Sequence, residues 1–403
     1  MLRVSLLALP LAITGMESAA IAGPLDPVEV APDVTLDPIL NARIRLETVD
    51  QDGFADNASA ITLRTRAGAK LDYRGFVMIA EGEATAALVD DYNDTIPSNG
   101  LEPFPVVADP DNLELNRLSI GYRDNGVALT LGRQRIIHDN ARFLGNVGWR
   151  QNEQTFDAVR AQVTTGPVSF DASYANSQRT IFGNESPNEE FEGDLVLLRA
   201  GLDAKPFDIV TYAYLIDYDT RIAFSSETFG ISASFKQGAG PLTLTAKANY
   251  ASQSDLGQNP VPYDADYYLA EVGAGIGKFS VKLGYEVLGS DDGVQAFQTP
   301  LATAHAFNGW ADLFLVTPAT GLRDTYVSAR TQIPSPVLKG LSAAITYHAF
   351  DSDFGATDYG TEIDAVVSFK LGDVGVLAKY ANYQADLFGR DTERFWLQAS
   401  VGF

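Results

Sequence analysis

Short and long connections alternate along this sequence. From residue 39 onward, stretches of about 10 to 13 residues with alternating apolar and polar side chains follow one another, long enough to cross a bilayer as tilted strands. They lie near 39–48, 58–70, 74–88, 114–123, 127–135, 154–164, 167–177, 194–203, 206–218, 226–236, 241–251, 264–275, 278–289, 323–333, 339–350, 359–370, 373–385 and 392–403. That is about 18, an even number, as an up-and-down barrel with both ends on one side requires. Tight turns fall at 72–75, 123–126, 165–167, 203–206, 237–240, 275–277 and 371–373, most of them carrying the Gly, Asn or Asp that hairpin turns need for positive φ. Between them lie polar loops over 89–113, 136–153, 178–192, 252–263 and 290–322. A soluble sandwich has no reason to sort loop lengths by parity. A membrane barrel does, with short turns on the periplasmic rim and long loops outside. The fold class expected is therefore all-β, a single transmembrane antiparallel β-barrel.

The last stretch, 393–403, sharpens this expectation. Phe395, Leu397, Ala399, Val401 and Phe403 fall on one face and Arg394, Trp396, Gln398, Ser400 and Gly402 on the other. An edge strand of this kind must be paired, and closure against the first strand pairs it. Its terminal Phe resembles the assembly signal of Gram-negative outer-membrane barrels.

The N-terminus is similar to a secretory signal peptide over 1–22, with basic Arg3, an apolar run over 4–13 and Ala20-Ile21-Ala22 before Gly23. A Pro- and Asp-rich leader over 23–38 and a barrel over 39–403 complete the expected organisation, with the cell outer membrane of a Gram-negative bacterium as destination. With 35 Gly, 19 Pro and no Cys, disulfides and thiolate metal sites are excluded. The net charge of -23 makes nucleic acid an unsuitable partner.

Sidedness points to function. In 61–67 the apolar set is Ile61, Leu63 and Ala67, so Arg64 and Arg66 face the other way. The same holds for Arg160, Arg199, Lys247, Lys282, Arg330, Lys379 and Arg394. A base facing lipid at mid-membrane costs about 2 to 4 kcal/mol, so in a barrel these nine line the lumen and form the expected anion path. Acids at Glu81, Glu83, Glu114, Glu271 and Glu286 share that face, giving a mixed, basic-leaning lumen. A ring of Arg favours anions, and its planar fork suits carboxylates. Two loops, 142–150 and 297–310, are candidates to fold inward as constrictions or else to cover the outer rim, with Arg135, Arg142, Arg150 and Trp310 as the residues concerned.

Catalysis finds little support. His138 and His305 lie in loops and His348 in a strand, and no nucleophile motif accompanies them. The Asp-rich runs 90–94 and 109–112 lack the Gly and closing Glu of a calcium loop, and no cofactor or metal motif appears.

The stretch 131–143, reading L-G-R-Q-R-I-I-H-D-N-A-R-F, and 148–157, reading G-W-R-Q-N-E-Q-T-F-D, resemble the alginate-export family of outer-membrane channels, with support from 50–54, 105–110, 301–305 and 308–312. The resemblance implies a monomeric 18-stranded barrel with an Arg-rich lumen that passes an anionic polyuronate, gated by an outer loop and a periplasmic plug. This chain is shorter than that pattern suggests, and its link over 333–340 is short for a plug. The expectation carried forward is a passive channel for small anionic solutes or acidic polysaccharide, in contact with outer-membrane lipid. A weakly selective porin and a barrel enzyme remain as alternatives.

Overall fold

The computed structural model describes residues 26–402, so the expected signal peptide and Phe403 lie outside the described residues. Eighteen antiparallel strands form a sheet that closes on itself. In chain order they are β1 (Val34–Gln51), β2 (Ala58–Tyr73), β3 (Phe76–Asp91), β4 (Asn112–Asp124), β5 (Val127–Gln134), β6 (Thr155–Thr165), β7 (Val168–Arg179), β8 (Glu190–Ala204) and β9 (Phe207–Tyr218). The second half comprises β10 (Ser226–Ala239), β11 (Leu242–Asp255), β12 (Asp264–Ile276), β13 (Phe279–Leu288), β14 (Leu322–Gln332), β15 (Lys339–Asp351), β16 (Asp358–Leu371), β17 (Val374–Ala385) and β18 (Thr392–Gly402). β1 and β18 close the cylinder, paired from Asn41 opposite Gly402 to Gln51 opposite Thr392. Along that length no edge is left to recruit another chain.

One rim carries the two-residue links. Tyr73 pairs with Phe76, Asp124 with Val127, Thr165 with Val168, Ala204 with Phe207, Ala239 with Leu242, Ile276 with Phe279 and Leu371 with Val374. In the first two, Arg74 and Gly75 have φ of 46° and 90° and Asn125 and Gly126 have φ of 45° and 84°. Two consecutive left-handed residues match the twist of the flanking strands, which is why Gly follows Arg or Asn there. The remaining link on this rim is 333–338; the opposite rim carries all the long loops, including 92–111, 135–154 and 289–321.

The start of the barrel differs from expectation. β1 begins at Val34 rather than 39, and Val28–Ala31 folds back to pair with Val34–Leu36, so much of the expected leader is strand. The Pro content misleads here because Pro38 lies where β18 has already ended. A strand tolerates Pro beside an unpaired edge, where no ladder hydrogen bond is lost.

Alternation sorts the faces. Leu113, Leu131, Val272, Leu283 and Ile345 stand exposed on the outside, while Arg43, Arg45, Arg64 and Glu83 on the alternate positions are buried. The simple rule of apolar outside and polar inside fails on β8, β9 and β12. Leu195, Leu197, Tyr212, Tyr214 and Tyr267 point inward and are buried too. They pack with Leu144, Phe297 and Leu301 of the loops 135–154 and 289–321, so a hydrophobic core sits within the cylinder.

Candidate functional site

Both loops named in the sequence as possible constrictions lie inside the barrel, where they grip one another and then the walls. Leu144 and Leu301 form a parallel bridge, Gly145 N–H donates to Leu301 O at 2.9 Å, and Thr303 N–H donates to Ala141 O at 3.0 Å. Gln154 Nε2 donates to both Gly145 O (2.7 Å) and Leu301 O (3.0 Å), tying the crossing point. Buried backbone groups need partners, and two loops away from water supply them to each other.

The loop 135–154 reaches β1, β2 and β3. Arg43 donates from Nε to Gln151 Oε1 (2.8 Å) and from Nη1 to Gly148 O (3.0 Å). Gln151 Nε2 donates to Thr62 Oγ1 (2.8 Å), and Thr85 Oγ1 donates to Asn152 Oδ1 (2.7 Å). Glu153 takes Arg135 and, at 3.3 Å, Arg66. Burial alone pushes the Glu153 carboxyl pKa up, but these two guanidinium groups outweigh it and hold it below the ordinary value. Arg45 lies over the Trp149 ring at 4.1 Å and donates to Trp149 O at 2.5 Å.

The loop 289–321 binds the opposite wall. Arg142 of the first loop meets Glu286 of β13 at 2.7 Å, and Asn308 Nδ2 donates to the other oxygen of Glu286 at 2.7 Å. Glu362 of β16 sits in a nest of loop amides: Trp310 N–H and Ala311 N–H both donate to its Oε1, at 2.5 and 2.8 Å. Gly309, with φ of 83°, leaves room for the second carboxylate oxygen, since a Cβ there would stand 2.3 Å from Oε2. Asp312 joins the loops, receiving Arg150 at 2.6 Å and His305 Nδ1 at 2.7 Å. Burial raises the pKa of Asp312, but His305, Arg150 and Arg394 together bring it below normal. Burial lowers that of Arg150, whereas Glu47, Asp312 and Asp109 raise it and prevail.

The sequence-predicted bases occupy the inward face, but in unequal states. Five of them are neutralised: Arg66 by Glu83 and Glu153, Arg160 by Asp171 (2.5 Å), Arg199 by Asp139 (2.8 Å), Lys282 by Glu271 (2.5 Å) and Arg394 by Glu47 (3.2 Å). Arg64, Lys247, Arg330 and Lys379 make no ion pair among the described residues. The basic-leaning lumen of the sequence reading is thus local. Arg394, Arg43, Arg45, Arg64 and Arg66 gather on the adjoining strands β18, β1 and β2, while Glu286, Asp324, Glu362 and Asp364 gather on β13, β14 and β16.

Arg43 and Arg45 were not among the expected bases. Their signal was present in N-A-R-I-R-L-E over 41–47, where Ile44 and Leu46 alternate with the two Arg just as in 61–67. The loop acids Asp109, Glu153 and Asp312 had no such signal, because alternation says nothing about loops. Each His has an Asp beside it, which no local motif announces. His138 lies 3.7 Å from Asp171, His305 2.7 Å from Asp312 and His348 2.9 Å from Asp324. Two of these pairs are not triads: Nε2 of His305 receives Lys379 Nζ at 2.6 Å, and Nε2 of His348 faces Asp364 at 3.6 Å, where a nucleophilic hydroxyl would have to stand. The other nitrogen of His138 meets the buried Tyr214 hydroxyl at 3.1 Å.

With this geometry in place, comparison with known proteins is informative. Residues 40–220 match the family described as alginate export. The matched segment covers most of β1, then β2 to β9 and the first inward loop; the second inward loop and the acidic wall lie beyond it. No curated protein sequence matches the chain. Among solved structures the chain is similar to OccK9 (OpdG) of Pseudomonas aeruginosa, with TM-score 0.70, 16% identity and coverage of 92% of this chain and 99% of that one. It is similar to OpdK of the same organism solved with vanillate, with TM-score 0.69, 15% identity and coverage of 91% and 98%. OccAB2 of Acinetobacter baumannii gives TM-score 0.68, 14% identity and coverage of 91% and 98%. At such identities the likeness is one of fold.

Proposed function

We propose that this protein is an outer-membrane channel through which small anionic solutes, acidic sugars or short polyuronates among them, diffuse passively across the constriction made by the two inward loops. The reading rests on one observation above all. Arg43 and Arg64 stand directly opposite one another on β1 and β2, both on the inward face, and neither makes an ion pair. Like charges held side by side repel, and an anion drawn to this wall relieves that repulsion. Lys247 and Arg330 add bases without an ion pair on other walls, Lys247 standing across from Glu271 on β12. The match of 40–220 to the alginate export family and the fold shared with the outer-membrane protein OpdK support the placement in the membrane. Export through a cleaved signal peptide and action as a monomer complete the proposal.

Reversal potentials in planar bilayers test it. A KCl gradient across the wild-type channel should show anion preference, reduced by Arg43→Ala with Arg64→Ala; a cation preference in wild type refutes the reading. The acidic wall of Glu286, Asp324, Glu362 and Asp364 favours a second reading, a general porin of weak selectivity. Liposome swelling separates the two, because a general porin passes neutral sugars and uronates of equal size at equal rates.

A further inference from the structure

The chain has three tryptophans, Trp149, Trp310 and Trp396, and all three surround one side chain. Lys379 Nζ lies 3.6 Å from the ring centre of Trp310, 4.2 Å from that of Trp149 and 5.4 Å from that of Trp396. Trp149 belongs to the first inward loop, Trp310 to the second and Trp396 to β18, directly across from Lys379 on β17. The ammonium therefore touches both loops and the wall at once. A cation over an aromatic face is attracted by the ring quadrupole, more strongly when water is excluded.

Its hydrogen bond goes to Nε2 of His305 at 2.6 Å, while Nδ1 of the same ring faces Asp312 at 2.7 Å. The imidazole is stacked on Trp149 at 4.5 Å and 7° and meets Trp396 edge-on at 5.6 Å. The three ring faces favour Lys379 as the ammonium, which can only donate; Nε2 of His305 then accepts and carries no proton, so the docked ring is neutral. A proton on Nε2 would point at an ammonium 2.6 Å away.

We infer that Lys379 is a positioning residue that pins both inward loops to the barrel wall through neutral His305, and that protonation of His305 releases the pin and loosens the constriction. The effect on the pore rests on the channel reading above; the release itself does not.

The charges facing His305 come from every element packed on it. Asp312 of its own loop attracts a proton to the ring; Lys379 of β17 and Arg150 of the first loop repel it. Arg394 of β18 lies 4.0 Å from Asp312, Arg45 of β1 covers the Trp149 ring, and Asp364 and Glu362 of β16 face Lys379. The balance is set by burial first: it lowers the His305 pKa, Asp312 opposes, Lys379 and Arg150 add to the lowering, and the docked value lies well below the ordinary one. A released His305 titrates near 6.5, as an exposed imidazole does. The released state therefore binds more protons below about pH 6.5, and each further unit of acidification weakens docking by up to about tenfold. Asp312, depressed while docked, contributes in the same direction only below about pH 4.

Because the tryptophans are confined to this cage, their emission reports on it alone. The test is a pH titration of the full-length barrel in detergent from 7.5 to 4.5, with far-UV circular dichroism to confirm the intact sheet. The wild type should show a step in tryptophan emission below pH 6.5, absent in His305→Gln, while Lys379→Met should show released-type emission already at pH 7.5. Flat wild-type emission across the range overturns the inference even if no variant folds, and so does a step that survives in His305→Gln. In bilayers, the same acidification should raise the current noise of the open channel. An emission step in a protein that conducts nothing leaves the pin standing and removes the channel reading; a conducting barrel without the step removes the pin and leaves the channel.

Discussion

Replacing Gly309 by Ala should undock the second inward loop without harming the barrel. Gly309 has φ of 83°, and an added Cβ would stand 2.3 Å from Glu362 Oε2 and 2.6 Å from its Cδ. The carboxylate cannot retreat freely, because its other oxygen is held by Trp310 N–H and Ala311 N–H. The left-handed backbone costs about 1 to 2 kcal/mol once a Cβ is present. Losing charge-assisted hydrogen bonds to the displaced carboxylate costs about 1.5 to 3 kcal/mol for each. Docking should therefore weaken by roughly 3 kcal/mol or more, which corresponds to a loss of over a hundredfold in the docking equilibrium. Amide hydrogen exchange at Trp310 and Ala311 reads that equilibrium directly. Gly277→Ala serves as the control, since Gly277 has φ of 61° with nothing within 4 Å of its Cβ position and so isolates the backbone cost. If protection of the two amides falls no further in Gly309→Ala than threefold, or if β-strand amides lose protection to the same degree, the nest around Glu362 is not what holds the loop.

Three further substitutions have expected outcomes. Arg150→Ala leaves buried Glu47 and Asp312 with Arg394 as their remaining shared base, and should destabilise the folded protein by about 3 kcal/mol, measured as a shift in urea-induced unfolding in detergent micelles. Arg323→Ala, whose partner Asp353 is part-exposed at the long-loop rim, should change stability by less than about 1 kcal/mol and so provides the contrast. Leu283→Arg places a guanidinium on the outward face of β13 and should cost about 2 to 4 kcal/mol on folding into phosphatidylcholine vesicles; a variant as stable as wild type would mean that this face does not meet lipid.

The cylinder was legible in the sequence because its constraints are local. A period of two tells which side chains share a face, and a two-residue link such as Asn125-Gly126 declares itself by the residues able to hold positive φ. Connection parity then distinguishes a membrane barrel from a sandwich without any long-range information. The same local logic, applied to 41–47, reads Arg43 and Arg45 as inward-facing; the Pro-rich segment before it hides the start of β1 because Pro38 is harmless only where β18 has stopped, and pairing register is not written in either strand alone.

The interior is a different matter. Nothing in the order of residues puts Glu362 against the amides of Trp310 and Ala311, or gathers Trp149, Trp310 and Trp396 about Lys379, because these partners are brought together by the fold across spans of tens to hundreds of residues. Loops lack periodicity, so their side chains carry no facing information until a wall is present to receive them. Which lumen bases form ion pairs was likewise settled in three dimensions: Arg66 and Arg64 are indistinguishable in the strand pattern, yet one pairs with Glu83 and Glu153 and the other makes no ion pair among the described residues. Alternation assigns a residue to the inside of a barrel; only closure of the sheet and the descent of two loops into it decide what that residue finds there.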